Sequence, residues 1–268
     1  MCLILFSYRV HGDFPLVLAA NRDERFARAT HHARFWPESP ELLAGRDLQA
    51  GGTWLGITRQ GRFAAITNVR ESNVRDGRAQ STSSEPLSRG QLTSQFLLSR
   101  QSASEYADTV LAQATNYRGF NLLLFDGSDF VYCNNQQIQS QQLGPGTYGL
   151  SNGLLDAPWP KIVKGKRGLE SLLSTSLTTE DLISLLGDNS IAADHQLPNT
   201  GVGVELERTL SPLFIRSDSI NGRGYGTCNS TALIVNKDQQ TIFHERNFYP
   251  PPFQPNPADH IYQFSIKN

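Results

Sequence analysis

Two short apolar segments at the start of the chain constrain its fold more than any other feature. Residues 2–8 (CLILFSY) and 15–20 (PLVLAA) are rich in strand formers, and residues 10–13 (VHGD) between them have the composition of a turn. Together they predict a β-hairpin. The pattern returns at 51–57 and 62–68, so the first part of the chain is predicted to build sheet.

The later segments predict how that sheet is covered. Helical spacing of apolar residues predicts four helices, at 87–97, 106–114, 158–173 and 179–186. Strands are predicted at 120–126, 129–134, 232–236, 240–246 and 260–266, and loops at 72–85 and 188–203. This order predicts an α+β fold, a four-layer αββα sandwich, formed by a single domain over residues 1–268.

The composition argues against several classes of function. A net charge of −1 leaves no broad basic surface for nucleic acid or an anionic membrane. No apolar run approaches the roughly 18 residues that cross a bilayer, and the first residues lack a signal-peptide pattern. Three scattered cysteines, Cys2, Cys133 and Cys228, fit a reducing compartment. We therefore predict a cytoplasmic protein with no nucleic-acid partner and no integral membrane segment.

The dipeptide Met1-Cys2 points to chemistry. A small second residue permits removal of the initiator methionine, which leaves a thiol and a free α-amine on one residue. The unperturbed pKa of an α-amine is about 7.7–8.0 and that of a thiol about 8.5, so both groups exchange protons near neutral pH. Cys2 could then hold both nucleophile and base.

The first hairpin brings a charged segment to Cys2. With a turn on Gly12-Asp13, counting back along both strands places Cys2 opposite Asp23, and a slip of one or two residues substitutes Arg22 or Asn21. In each register an acid and a guanidinium arrive beside the new N-terminus. Because side chains alternate along a strand, only one of Arg22 and Asp23 faces Cys2 directly. The alternative interpretation is a small strand residue beside a solvated strand end.

Five ordered motifs carry a family resemblance. They are residues 21–24 (NRDE), 51–56 (GGTWLG) with 67–68 (TN), 151–153 (SNG), 156–161 (DAPWPK) and 225–227 (YGT). With them the chain resembles the NRDE-motif family, which contains the transport and Golgi organisation protein 2 homologues. The resemblance runs from residue 2 to about residue 236.

The resemblance implies an N-terminal-nucleophile hydrolase type of fold and a set of site residues. By position, Cys2 is similar to the nucleophile of N-terminal-cysteine hydrolases, with Arg22 and Asp23 as its attendants. Asn68 takes the place of the oxyanion donor and Asn152 that of a second polar contact. Arg216 or Arg223 would be the late arginine, since Cys228 stands after Tyr-Gly-Thr where an arginine is expected. Such a site requires no cofactor, and we expect no metal.

Two functions of different classes follow. The family resemblance implies intracellular haem trafficking, with non-covalent haem or an acyl compound as a small hydrophobic ligand. The residues themselves suit an N-terminal cysteine hydrolase in which Cys2 attacks a small C–N amide substrate. A fold shared with hydrolases does not decide between them.

Overall fold

The computed structural model describes residues 2–70, 86–175, 177–220, 223–248 and 258–267, which form two antiparallel sheets and five α-helices. Met1 and the predicted loop at 72–85 lie outside these residues. The first sheet holds β1 (Cys2–Tyr8), β2 (Leu16–Arg25), β10 (Gly146–Leu150), β11 (Arg216–Ile220), β12 (Arg223–Val235), β13 (Gln240–Asn247) and β14 (Ala258–Ser265). Its order is β10-β1-β2-β12-β13-β14, with β11 paired to β12.

The second sheet pairs its strands in chain order. It holds β3 (Thr30–Trp36), β4 (Ser39–Asp47), β5 (Leu55–Thr58), β6 (Phe63–Asn68), β7 (Phe120–Phe125), β8 (Phe130–Asn134) and β9 (Gln139–Gln142). The first two helices lie between β6 and β7 in the chain. Strands β5 and β6 form the second predicted hairpin, which is confirmed.

Helices cover the outer face of each sheet. The helices are α1 (Gly90–Leu98), α2 (Ala103–Ala112), α3 (Pro160–Leu173), α4 (Thr179–Leu186) and α5 (Val204–Thr209), with short 3₁₀ turns at Ala114–Asn116 and Asp194–Gln196. The pair α1 and α2 packs on the second sheet, and α3 and α4 pack on the first. Among the described residues, no helix combines the length and the apolar content that a membrane crossing needs.

The core follows the alternation of side chains along the central strands. In β1 and β2, Phe6 and Leu18 point between the two sheets, whereas Leu5 and Ala19 point to α3 and α4. Both faces of β1 are therefore buried, which is why its sequence is nearly continuous in apolar residues. The layer order is helix, sheet, sheet, helix, so the predicted α+β fold and αββα sandwich are confirmed.

Three strands of the second sheet, β3, β4 and β9, are absent from the sequence-based prediction, as are β10, β11 and α5 elsewhere. Strands β3 and β4 are partly exposed and interrupted by register shifts, so their residues lack the clear alternation that would identify them. The four predicted helices and the five later predicted strands are all present, with ends shifted by a few residues, except that β12 begins at Arg223 and not at 232. The single-domain assignment stays a prediction.

A close backbone contact sets the position of helix α1. A Cβ on Gly52 would lie 2.4 Å from the carbonyl carbon of Gly90, so this approach requires glycine. The Thr53 amide donates to the Gly90 carbonyl at 3.1 Å. Gly52 therefore lets the first turn of α1 pack against the loop that leads into β5.

Candidate active site

Cys2 is the first residue of β1, and its backbone pairs with Arg22 of β2 rather than with Asp23. The predicted turn is present, since the Phe14 amide donates to the His11 carbonyl at 3.3 Å. Val10 is an extra residue between that turn and the bonded pair Arg9 and Pro15, and Arg9 has a positive φ of 52°. This irregularity shifts the register by one residue, to one of the alternatives that the sequence left open.

Cys2 borders a cavity of about 440 Å³ at one end of the sandwich. Arg22 lies on the same face of the sheet as Cys2, and Asp23 and Asn68 also border the cavity. The opposite wall comes from the second sheet, the loop before β5 and the first turn of α1. Four of the five predicted site residues therefore meet around one space.

Asp23 points to the helix-covered side of its sheet. Its side chain is 1% exposed, and the Thr227 hydroxyl donates to its Oδ1 at 2.7 Å. Burial raises the pKa of the Asp23 carboxyl, while the nearby Lys161 ammonium lowers it in part. Only one of the two side chains thus faces Cys2, as alternation along a strand predicts, and it is Arg22 rather than Asp23.

The two asparagines have different positions. Asn68 is the last residue of β6 and is half-buried at the cavity wall. Asn152 is 1% exposed and borders a neighbouring cavity, where its Nδ2 donates to the Asn68 carbonyl at 2.7 Å. Asn152 therefore holds the backbone of Asn68 and is not part of the wall around Cys2 within the described structure.

A polar network from the second sheet reaches the Cys2 backbone. The Ser151 hydroxyl donates to the Cys2 carbonyl at 2.9 Å, and the Thr67 hydroxyl donates to the Ser151 carbonyl at 2.6 Å. Asn121 continues the network by donating to the Thr67 hydroxyl at 3.1 Å. These bonds fix the start of β1 relative to the end of β6, and so Cys2 relative to Asn68.

Burial controls the ionisation of the thiol. Cys2 is 9% exposed, and burial raises the pKa of its thiol above the usual value of 9.0. The charge of Arg22 acts in the opposite direction and lowers this pKa. In this environment the neutral thiol predominates at neutral pH, so a nucleophilic reaction requires a base nearby.

The late arginine of the predicted site is not brought to Cys2 by the described part of the chain. Arg216 is exposed, and its guanidinium lies 5.7 Å from the centre of the Phe214 ring. The side chain of Arg223 lies outside the described residues. Cys228 occupies a β-bulge between Thr227 and Asn229, with its Sγ 3.6 Å from the Glu24 carbonyl.

Three residues of the site surroundings were not assigned a role from the sequence: Thr227, Ser151 and Lys161. Each lies inside a motif of the family resemblance, which marks the position without indicating its contact. Lys161 is the most unusual of them, because it is 2% exposed and its Nζ makes no hydrogen bond within the described residues. Burial lowers its pKa to about 8.

The solved structures that this chain resembles include two with TM-scores below 0.5. One is the N-acylethanolamine-hydrolyzing acid amidase ortholog of Caenorhabditis elegans, with 9% identity, a TM-score of 0.42, and coverage of 87% of this chain and 92% of that one. The other is a mutant conjugated bile acid hydrolase from Clostridium perfringens, with 9% identity, a TM-score of 0.45, and coverage of 100% and 97%. At these TM-scores neither likeness supports an inference about this chain.

Comparison with protein sequences is decisive for the family. The model of the Transport and Golgi organisation 2 family matches residues 1–250. The Transport and Golgi organization protein 2 homologs of Bos taurus and Homo sapiens are each 34% identical, over 92% of this chain and 93% of theirs. The Drosophila melanogaster protein of that name is 27% identical over 91% of both chains. The chain therefore belongs to the Transport and Golgi organisation 2 family.

Proposed function

We propose that the protein is an N-terminal cysteine amidohydrolase that acts on a small C–N amide, with Cys2 as its nucleophile once Met1 is removed. One observation carries the proposal: the Cys2 side chain borders a 440 Å³ cavity together with Arg22, Asp23 and Asn68. Its volume lies within the range of about 300–1,000 Å³ that small-molecule sites occupy.

The reaction divides into two steps. In the first, Sγ of Cys2 bonds to the amide carbonyl carbon while the thiol proton passes to the α-amine of the same residue. That proton then goes to the amide nitrogen, the C–N bond breaks, and the amine leaves a thioester on Cys2. In the second, water attacks the thioester and gives a proton to the α-amine, the C–S bond breaks, the acid is released, and the α-amine passes that proton to Sγ.

The neighbouring residues serve this chemistry. Arg22 favours the thiolate through its charge, which lowers the pKa of Cys2. The Asn68 side chain would donate to the oxyanion that forms in each step, and Asn152 keeps the Asn68 backbone in place through its bond to the carbonyl. Asp23, buried behind the strand, would hold the α-ammonium through its negative charge.

The test compares two cysteine variants. Cys2→Ala is expected to abolish every amidase activity found in a screen of small amides. Cys228→Ala is the matched control and retains that activity, because burial raises the pKa of the Cys228 thiol to about 11 and keeps it protonated.

Processing of the N-terminus is measured on the same samples. Intact-mass spectrometry is expected to show loss of Met1, and a thiol-directed electrophile is expected to label Cys2. Amidase activity that survives Cys2→Ala, or that is found in protein retaining Met1, would rule out the mechanism.

Haem or an acyl compound is the second candidate ligand. The arginines of the same cavity support this proposal. Arg22, Arg28 and Arg89 border it and would oppose the carboxylates of either ligand. Haem added to the purified protein is then expected to give a saturable change in its visible absorption. Unaltered absorbance at all haem concentrations would remove haem and leave the acyl compound.

The cytoplasmic location also stays a proposal. Its support is that Cys2, Cys133 and Cys228 are all free, as is usual in a reducing compartment. Cell fractionation that recovers the protein outside the cytosol would contradict it.

A further inference from the structure

The cavity beside Cys2 is rich in arginine, although the whole chain has a net charge of only −1. The arginines that border it are Arg22, Arg28, Arg46, Arg89 and Arg118. Three acidic residues border it as well: Asp23, Glu24 and Asp47. The excess of guanidinium groups gives the cavity a positive potential that solvent screens least in its deeper part.

Three of these arginines have partners in the protein. Arg28 forms an ion pair with Asp47 at 2.5 Å, and Arg46 forms one with Glu38. Arg89 donates to the Gly119 carbonyl at 3.0 Å. Their charges are thus partly compensated or directed to the backbone.

The other two arginines differ. Within the described residues, the guanidinium groups of Arg22 and Arg118 form no hydrogen bond and no ion pair. Arg118 is exposed at the cavity mouth, but Arg22 is only 6% exposed. A buried guanidinium has five donors to satisfy, so an acceptor is expected in the cavity beside it.

The first turn of α1 borders the same space. Residues 86–90 border the cavity, and α1 has neither a side-chain cap nor an acidic residue in its first turn. The Gln91 and Leu92 amides donate to the Ser88 and Arg89 carbonyls, so it is the helix dipole at this end that favours an anion. Two independent features, the buried Arg22 and this helix end, therefore face one cavity.

We propose that the arginine-lined end of the cavity binds a negatively charged group, a carboxylate or a phosphate, of the substrate. The inference rests on the proposed function and adds to it the substrate class: a small amide that carries an anionic group. Its carbonyl carbon lies at Sγ of Cys2 while its anionic group contacts Arg22, Arg118 and the start of α1.

The test uses two alkylating agents that differ in charge. Iodoacetate is anionic and iodoacetamide neutral, and both transfer a carbon to the thiolate with loss of iodide. At Cys2, identified by peptide mass analysis, the rate with iodoacetate is divided by the rate with iodoacetamide. This ratio is compared with the same ratio for a small neutral thiol. We expect the ratio at Cys2 to be at least about tenfold higher at low salt and to fall as the salt concentration rises.

Matched variants locate the effect. Arg118→Gln is expected to lower the ratio about threefold, because one unit charge near the reagent is removed. Arg118→Lys keeps the positive charge and should retain most of the wild-type ratio. Arg100→Gln removes the same charge from an exposed position outside the cavity lining and leaves the ratio unchanged. A wild-type ratio equal to that of the free thiol, or equal losses in Arg118→Gln and Arg100→Gln, would overturn the proposal.

Anion binding is also measured without chemistry at Cys2. Inorganic phosphate and acetate are each expected to raise the melting temperature of the wild type more than that of Arg118→Gln, and the stronger one identifies the group. Equal shifts in both proteins overturn anion binding even if Cys2 is unreactive. Anion binding without amide hydrolysis would instead refute the proposed function alone.

Discussion

Two consecutive residues at the end of β2 face two different surroundings. Arg22 points into the cavity with Cys2, where its guanidinium has no hydrogen-bonding partner within the described residues. Asp23 also borders the cavity, but its side chain is 1% exposed and points to the helix-covered face, toward Thr227 and Lys161. One face has donors to offer a ligand, and the other has its charges enclosed by protein.

The closed face extends from Asp23 to a buried ion pair. Arg70 and Glu207 meet at 2.5 Å, with side chains 7% and 4% exposed. Lys161 responds to the charges of Asp23, Arg70 and Glu207, so these groups form one electrostatic unit. This difference suggests that changes on the closed face act on stability, and that changes on the cavity face act on reactivity.

The largest effect is expected from Glu207→Gln. This variant removes the Glu207 charge from the buried pair with Arg70, so the free energy of unfolding should fall by about 4 kcal/mol. Urea denaturation measures it. Glu205→Gln is the control on the same helix, because Glu205 is 88% exposed and its loss should cost little. Equal effects of the two variants would contradict a closed, charge-dependent face.

The pH dependence of stability reports on Lys161. Burial lowers its pKa from 10.5 to about 8 in the folded chain. Between these values the unfolded chain binds the additional proton, so the stability contributed by Lys161 increases with pH and is lost as pH falls through 8. Relative to Lys161→Met, the wild type should gain about 3 kcal/mol from pH 8 to 10.5.

The measurement is urea denaturation of both proteins at each pH. Lys164→Met, an exposed lysine on the same helix, is the control and should follow the wild type. If the free energies of unfolding of the wild type and Lys161→Met differed by the same amount at every pH in this range, the Lys161 ammonium would not be confined to a low-dielectric site.

The sequence could predict the fold because the central strands are apolar on both faces. It could not predict the register of the first hairpin, since that depends on the backbone of Arg9 and on the extra residue Val10. Strands β3 and β4 were missed because they are only partly buried and their pairing is interrupted, so they carry little periodicity.

For the candidate site, the sequence identified the positions better than the contacts. Asn152 follows Ser151 in one motif, yet Ser151 bonds to Cys2 and Asn152 to Asn68. Lys161 is brought beside Asp23 only by the packing of α3 on β1, where a Cβ on Gly165 would lie 2.5 Å from Leu5. Such contacts arise between distant segments, and a single sequence holds no record of them.

On the cavity face, Arg22→Gln should change reactivity more than stability. The Arg22 charge lowers the pKa of the Cys2 thiol, so its loss raises that pKa. Alkylation of Cys2 by iodoacetamide at neutral pH should therefore slow, because a smaller fraction of the thiol is ionised. The pH profile of the rate should move to higher pH, and Arg22→Lys should restore it in part.

The exposed Arg25→Gln, three residues along the same strand, is the control for a general change in charge. Slower alkylation by the same factor in Arg25→Gln would show that the net charge of the chain, and not the position of Arg22, sets the reactivity of Cys2.

The smallest effect is expected where the second sheet holds the Cys2 backbone. Ser151→Ala removes one donor to the Cys2 carbonyl, a bond of 2.9 Å, and should lower the free energy of unfolding by about 1 kcal/mol. Exposed Ser171→Ala is the control in the same denaturation series. The alkylation rate of Cys2 should change less than in Arg22→Gln, since no charge is lost. If Ser151→Ala slowed alkylation more than Arg22→Gln does, the position of the Cys2 backbone, and not the charge in the cavity, would control the reactivity of the thiol.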